Sequence, residues 1–186
     1  MFILYALLIG LIVGVGAGGR ISGLAVLQFR WPWVIVGGLL VQVVLFSDQV
    51  TAWIGAAGPP IYIGSTLVVI GAVLANRAIT GMAVVALGAA SNLLAIVANG
   101  GFMPAAPSAL QALGKVPATV YSNSAVVPDP ALGPLTDAFA LPSWLPFANV
   151  FSVGDVLIGI GVAIVVVVAM RRSESVAQLT DGSAIA

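Results

Sequence analysis

The sequence predicts an all-α integral membrane protein with five transmembrane helices and an ordered, proline-rich outer cap between the fourth and fifth helices. Hydrophobic residues make up 61% of the 186 residues and charged residues only 6%, whereas a soluble domain carries about a quarter charged residues. The apolar residues form five long runs, and the one long segment between two of them holds eight of the eleven prolines. These observations predict a single membrane domain over residues 1–172.

The first two predicted spans cover residues 2–18 and 31–47. The first has the length of a signal peptide, but no Lys or Arg precedes Arg20. A signal peptide needs a positively charged start, so we interpret this run as an uncleaved span. The second span contains the amide of Gln42, a side chain that usually hydrogen-bonds to a neighbouring helix and only sometimes contacts a substrate.

Three glycines of the first span, Gly10, Gly14 and Gly18, stand four residues apart. This GxxxG spacing places them on one helix face, where the backbone of a second helix can approach closely. The face can pack against another helix of the same chain or against a second copy of the chain. We favour packing within the chain.

The third and fourth predicted spans cover residues 60–76 and 79–98. Residues 48–58 before them predict a turn that ends at two prolines, which the first turn of a helix tolerates well. The connection between the third and fourth spans is short, so we expect an antiparallel helix hairpin. Two glycines follow the fourth span and predict its end.

The fifth predicted span covers residues 153–170. Ser152 precedes it, and Asp155 follows three residues later. This is the spacing of a capping box, in which Ser152 is the N-cap and the acidic side chain reaches back to it. Residues 173–186 are mostly small and polar, so they predict a mobile cytoplasmic tail.

The basic residues predict the orientation of the spans. With five spans, five of the six basic residues fall on one side of the membrane, and Lys115 falls on the other. Positive residues favour the cytoplasmic side. The N-terminus is therefore predicted outside, the C-terminus inside, and the chain is predicted to be a multi-pass protein of the bacterial plasma membrane. The residues on the inner side are Arg20, Arg30, Arg77, Arg171 and Arg172.

Residues 99–152 form the predicted outer cap. They contain three charged residues and many Leu, Val, Phe and Trp side chains, whereas a disordered loop would be polar or charged. We therefore expect an ordered cap on the outer ends of the helices. A short helix capped by Ser108 is predicted through Leu113, ended by Gly114. A second is predicted to start at Asp129 and Pro130 and to restart at Pro134 over residues 135–140.

Several segments resemble one known family. They are the NGGFMP segment at residues 99–104, the Leu-Thr-Asp sequence at residues 135–137, and the NVFSVGD segment at residues 149–155. Residues 18–20 and Gln42 are similar as well. Over residues 1–172 the chain resembles the bacterial membrane-protein family known as domain of unknown function 5317. This resemblance implies a topology but no activity, so it implies no catalytic residue.

Polar side chains near the outer ends of the spans form the candidate site. Polar groups at membrane depth are costly and often mark function. They also hold helices together, and this structural interpretation is the favoured one. The candidate residues are Asn92, Asn99, Asn149, Ser152, Asp155, Gln42 and Asp48.

The residue types also limit the chemistry. The chain has no cysteine and no histidine, so it lacks thiolate ligands and the commonest general base. We expect no catalytic residues, no metal and no cofactor, and enzyme activity is disfavoured. The sequence has no basic patch of the kind that nucleic acid requires. The expected partners are the lipid bilayer and either another membrane protein or a bound lipid.

Three functions remain open. The favoured one is an accessory or structural subunit that binds a membrane partner through its outer cap and its glycine-rich helix faces. A small transporter or channel is the second, although no span carries a charge near its centre and no inverted repeat is found. The third is a protein that binds a lipid or another amphiphile.

Overall fold

The computed structural model describes residues 2–114 and 124–182, most of which are helical. In these residues, four two-residue strands lie between the last two long helices. The elements are α1 (Phe2–Gly16), α2 (Ser22–Ala25), α3 (Pro32–Leu45), α4 (Asp48–Ile54), α5 (Gly58–Ala75), α6 (Met82–Ala98), β1 (Met103–Pro104), α7 (Pro107–Ala112), β2 (Ser124–Ala125), β3 (Phe139–Ala140), β4 (Val150–Phe151) and α8 (Val153–Gly182), with 3-10 turns at Gly55–Ala57 and Gly133–Leu135.

Local sequence explains where the long helices begin and end. Pro32 occupies the first turn of α3, and two prolines occupy the first turn of α5. Proline fits there because the first N–H groups of a helix have no partner within the helix. α6 ends before Gly100 and Gly101, which both have positive φ angles, a conformation that glycine adopts without steric cost.

The long helices pack in the order α1, α8, α6, α5 and α3. α8 is packed between α1, which runs parallel to it, and α6, which runs antiparallel. The connection after α1 folds back on α8, because the backbone N–H of Arg20 donates to the carbonyl of Met170 at 2.9 Å. α3 is packed along α5 alone among the long helices that the structure describes. One end of this row therefore has an open side.

The glycines of α1 lie on the face that contacts α8. A Cβ atom at Gly10 would lie 3.0 Å from the Cα atom of Ala163, and one at Gly14 would lie 2.5 Å from the sulfur of Met170. This face is therefore occupied within the chain. Gly18 lies beyond the end of α1 with a φ of 81°, so it does not extend the packing face.

The cap, residues 99–152, has its own small core. Ala105, Ala109, Leu110 and Val150 are buried together. β1 pairs in parallel with β2, and β3 pairs antiparallel with β4. Met103 joins the cap to the helices because it is buried with Ala95 and Ile96 of α6.

Two helical segments in the described chain are long and apolar enough to cross a membrane, Gln49–Ala75 and Val153–Arg172. The other three helices predicted as spans are apolar but shorter: Phe2–Gly16, Pro32–Leu45 and Met82–Ala98. The segment predicted as a turn at residues 48–58 is helical, since α4 and a 3-10 turn lead directly into α5. α8 continues to Gly182, where a mobile tail was expected after residue 172.

The cap differs from its predicted secondary structure in two places. α7 begins at Pro107 with Ala106 as its N-cap, so Ser108 does not cap it. Residues 135–140 are not a helix, because Asp137 forms backbone hydrogen bonds with Pro104 and Ala106 across the cap. Phe139 then enters β3 and pairs with Phe151. Pairing with distant backbone outweighs the local helix signal here.

Candidate functional site

Three of the predicted polar residues meet where α8 begins. Asn92 lies on α6, Ser152 directly precedes α8, and Asp155 lies in the first turn of α8. We call these three residues the polar junction. Ser152 is fully buried and the other two are partly buried, so their hydrogen bonds are largely shielded from solvent.

The capping box predicted at the start of α8 is confirmed. The backbone N–H of Asp155 donates to the Ser152 hydroxyl oxygen at 3.0 Å, and the backbone N–H of Ser152 donates to a carboxylate oxygen of Asp155, also at 3.0 Å. These bonds satisfy two N–H groups that have no partner within the helix. The carboxylate is further stabilised by its position at the positive end of the helix dipole.

Asn92 connects this cap to the neighbouring helix. The Ser152 hydroxyl donates to the Asn92 amide oxygen at 2.7 Å, and the Asn92 amide nitrogen donates to the second Asp155 carboxylate oxygen at 2.9 Å. The three residues thus form a closed ring of hydrogen bonds, in which the link between Ser152 and Asp155 runs through their backbone N–H groups. In this ring both carboxylate oxygens and the amide oxygen accept, and the hydroxyl both donates and accepts.

Glycines allow α6 and α8 to approach closely enough for this ring. A Cβ atom at Gly154 would lie 1.9 Å from the Asn92 amide oxygen, and one at Gly88 would lie 2.4 Å from the Gly154 carbonyl oxygen. Both distances are far below van der Waals contact. One heptad away, Gly81 and Gly161 make an equally close pair. The junction therefore depends on glycine at the crossing of the two helices.

Asn99 lies at the same end of the helices but belongs to a different contact. It is the C-cap of α6, and its amide nitrogen donates to the carbonyls of Ala95 and Ala131 at 2.7 and 2.9 Å. Its amide oxygen accepts the backbone N–H of Ala131 at 2.9 Å. Asn99 therefore holds the cap to the end of α6 through two hydrogen bonds between its side-chain amide and the backbone of Ala131.

The remaining predicted residues lie elsewhere. The Gln42 amide of α3 donates to the hydroxyls of Ser65 and Thr66 on α5, at 3.4 and 3.2 Å. Asn149 donates to the carbonyl of Val150 at 2.6 Å. Asp48 begins α4, and its side chain lies outside the described part of the structure. The seven predicted residues thus do not form one common site.

Sequence reasoning missed Asn76. This residue joins the end of α5 to a distant part of the backbone, as Asn99 does at the end of α6. Asn76 is the buried C-cap of α5, and its amide nitrogen donates to the carbonyls of Ala72 and Arg30 at 2.8 Å. Its amide oxygen accepts the backbone N–H of Arg30 at 2.7 Å. The signal was available, because an asparagine follows the last apolar residue in both helices.

The chemistry of the polar junction is that of a helix clamp. The Ser152 hydroxyl donates to an amide oxygen, which is not a base, so the serine is not activated as a nucleophile. Asp155 accepts from an amide and from a backbone N–H group. In residues 2–114 and 124–182, no group of three acidic side chains is placed to bind a metal.

The two segments at the ends of the cap contain most of the residues that form these contacts. The NGGFMP segment supplies Asn99 and β1, and the NVFSVGD segment supplies β4 and the capping box. The model of a family of unknown function, DUF5317, matches residues 26–167, which include both segments. The chain belongs to this family. The resemblance based on the motifs is thereby confirmed, although the match begins after α1.

Other comparisons add nothing to this assignment. No curated protein and no solved structure gives a significant match. The DUF5317 family has no established function, so membership assigns no activity to the chain.

Proposed function

We propose that this DUF5317 protein is an accessory subunit of the bacterial plasma membrane that binds a second membrane protein. The proposal has two parts. The five long helices all cross the bilayer as one membrane domain, and the open side of α3 and α5, together with the cap, receives the partner. The observation that carries the second part is a glycine-bearing face of α5 that no other helix of the described chain covers.

The exposure of apolar side chains supports five spans. In the most apolar window of Gln49–Ala75, only 17% of residues are buried, and this low buried share favours a membrane span over the core helix of a soluble protein. The shorter helices also expose large side chains, such as Ile12 of α1, Val43 of α3 and Leu87 of α6. Helices of 14 to 17 residues can cross a locally thinned bilayer with help from their flanking residues.

The distribution of charge supports one orientation. Arg20 is hydrogen-bonded to the region of α8 that precedes Arg171, and Arg30 is hydrogen-bonded to Asn76, beside Arg77. These five arginines therefore lie toward the end of the helices opposite the cap. The positive-inside rule places that end in the cytoplasm and the cap outside.

The open face of α5 supports a protein partner. Ile61, Gly64, Val68 and Gly71 follow the spacing of a single helix face. Ile61 and Val68 are exposed, and a Cβ atom at either glycine would meet nothing within 4 Å. By contrast, the glycines at Gly10, Gly14, Gly88 and Gly154 all face a neighbouring helix. Small residues on a membrane helix let a second helix approach closely.

A groove lies beside this face. It has a volume of about 500 Å³ and is lined by apolar side chains of α3, α4 and α5, including Leu40, Trp53 and Ile61, and by Gly37. A Cβ atom at Gly37 would also meet nothing within 4 Å. The groove and the α5 face share Ile61, so they form one continuous apolar surface. Such a surface suits an apolar helix of a partner.

The location of the proposed binding face differs from one sequence expectation. The GxxxG face of α1 was expected to pack within the chain or to contribute to a partner surface, and the contacts with α8 occupy Gly10 and Gly14. The partner face is therefore assigned to α5. Transport is less well supported, because the amides of Gln42 and Asn92 bond to neighbouring helices.

Cross-linking in native membranes tests the proposal. A photo-reactive amino acid replaces Val68 on the open face of α5, and in a second variant it replaces Ile12, an equally apolar and exposed position on α1. We expect a discrete protein adduct from position 68 and lipid adducts alone from position 12. The adduct at 68 should weaken when Gly64 is changed to Leu, because the larger side chain blocks close approach.

Gly16→Leu is the matched control for this loss. A Cβ atom at Gly16 also meets nothing within 4 Å, so the added side chain has the same size and the same freedom but lies on α1. The adduct at position 68 should remain in this variant. A lipid adduct alone at position 68 would favour the lipid-binding alternative, and no difference between Gly64→Leu and Gly16→Leu would contradict a helix partner at α5.

A further inference from the structure

We propose that the loop between β3 and β4 inserts into the outer lipid interface beside α1 and anchors the cap to the bilayer. The loop comprises residues 141–149 and is closed by a hydrogen bond from the N–H of Leu141 to the carbonyl of Asn149 at 3.0 Å. The inference rests on the membrane placement given above. It adds a defined lipid contact that involves neither the polar junction nor the α5 face.

Two successive turns shape this loop. The N–H of Leu145 donates to the carbonyl of Pro142 at 3.0 Å, and the N–H of Ala148 donates to the carbonyl of Leu145 at 3.2 Å. Trp144 and Phe147 occupy the third position of the first and second turn, respectively. The two rings are 79% and 71% exposed. The turns therefore present two large aromatic side chains away from the cap.

Phe147 occupies an unfavourable backbone conformation. Its φ angle is 56°, in the left-handed region, which costs a residue with a side chain about 1–2 kcal/mol. Glycine or asparagine usually takes the corresponding position of a turn, after a proline such as Pro146. A conformational cost at an exposed phenylalanine points to a role for the side chain beyond folding.

The composition of the loop region suits the lipid interface. No charged residue occurs between Asp137 and Asp155, so insertion of the loop would not bury a charge. Tryptophan is enriched at the level of the lipid head groups, where its ring is partly in contact with acyl chains. A loop in water would gain nothing from two exposed aromatic rings. The chemistry therefore favours lipid over solvent.

Contacts with α1 place the loop at the correct depth. The Tyr5 hydroxyl donates to the carbonyl of Pro146 at 2.5 Å, and the rings of Phe2 and Phe151 stack with centroids 4.5 Å apart. These contacts hold the loop beside the first two turns of α1. Leu4 and Leu8 in those turns are exposed. The apolar surface of the loop is therefore continuous with the lipid-facing surface of α1.

The native tryptophan of the loop is the probe for this inference. The full-length protein is reconstituted into vesicles of phosphatidylcholine and phosphatidylglycerol after Phe has replaced three of the four tryptophans, so that only Trp144 remains. Lipids brominated near the head-group end of the acyl chain should remove most of the Trp144 fluorescence. Aqueous iodide should remove little, because the ring is shielded from water.

Two matched variants distinguish a failure of the loop insertion from a failure of the proposed membrane placement. One retains only Trp33, at the start of α3, and the other only Trp53, in α4. Strong iodide quenching of Trp144, combined with quenching of Trp33 and Trp53 by brominated lipid, would overturn the loop insertion alone. If brominated lipid quenched none of the three tryptophans, the membrane placement would fail together with it.

Discussion

The contact of α6 with α8 and the contact of α3 with α5 both join antiparallel helices, but they use different chemistry. α6 and α8 meet through facing glycines and a closed hydrogen-bond ring of three polar residues, with Ser152 fully buried. α3 and α5 share one interhelical amide, Gln42, whose two bonds are long. They also share a glycine contact, since a Cβ atom at Gly38 would lie 2.5 Å from a methyl carbon of Val69, and an edge-to-face contact of Phe46 with Tyr62. The acceptors Ser65 and Thr66 already donate to the carbonyl of Tyr62.

This difference divides the row of helices into a fixed part and an open part. A helix pair that requires glycine and a satisfied polar ring has one arrangement, because any shift leaves buried polar groups without partners. α3 and α5 pack through apolar contacts and one glycine but have no closed polar ring, so a small shift of this pair leaves fewer buried polar groups without partners. The proposed binding face lies on the pair that can adapt to a partner. The fixed pair lies next to the cap.

The largest effect is expected from Gly154→Leu. A Cβ atom at this position would lie 1.9 Å from the Asn92 amide oxygen, so α6 and α8 must separate. Overpacking costs about 1–3 kcal/mol or more, and loss of the polar ring adds to this cost. We expect at least about 3 kcal/mol lower unfolding free energy, measured by denaturant unfolding in detergent. Gly64→Leu is the control. Equal losses of unfolding free energy in the two variants would contradict the difference between the α6–α8 contact and α5.

A smaller effect is expected from Asn92→Leu. The change leaves the Ser152 hydroxyl without an acceptor and one Asp155 carboxylate oxygen without its amide donor. Unsatisfied buried groups cost about 1–3 kcal/mol. A double-mutant cycle with Ser152→Ala should give a coupling energy of about 0.5–3 kcal/mol. Strictly additive losses would mean that the ring does not act as a unit.

Gln42→Leu should cost less than Asn92→Leu. Interhelical hydrogen bonds in membrane proteins contribute about 0.6 kcal/mol on average, and the bonds of Gln42 measure 3.2 and 3.4 Å. Both hydroxyl acceptors keep their bonds to Tyr62 in the variant. We expect a loss near or below that average in the same unfolding assay. A loss as large as that of Asn92→Leu would mean that α3 is fixed as firmly as α6.

The sequence predicted the long helices well because their signals are local. Apolar runs bounded by proline, glycine and capping residues marked both ends of α1, α3, α5 and α6, and the start of α8, to within a few residues, whereas α8 ends at Gly182 and not at residue 170. The capping box at Ser152 and Asp155 was also readable, since its members are three residues apart. Helix type and helix ends depend on neighbours along the chain, so a single sequence contains most of this information.

The sites were less predictable because their partners are distant in the chain. Asn92 meets Ser152 across 60 residues, and Asn99 meets Ala131 across 32. Seven polar residues were grouped by membrane depth alone, and depth does not determine which helices are neighbours. The order of the helices in the row separates Gln42 from the others. The pairing of the cap strands was not predicted either, since each strand pairs with a separate segment of the chain.

We expect the smallest effect from Gly71→Ala on α5. Its change in unfolding free energy should have the opposite sign to that of the same substitution at Gly88 on α6. The added methyl group meets nothing within 4 Å, and alanine favours a helix over glycine by about 1 kcal/mol or less. Gly71→Ala should therefore slightly raise the unfolding free energy in detergent. The same change at Gly88 should lower it, because its Cβ would lie 2.4 Å from the Gly154 carbonyl oxygen. Two changes of the same sign would mean that α6 and α8 tolerate separation as readily as α5 tolerates a methyl group.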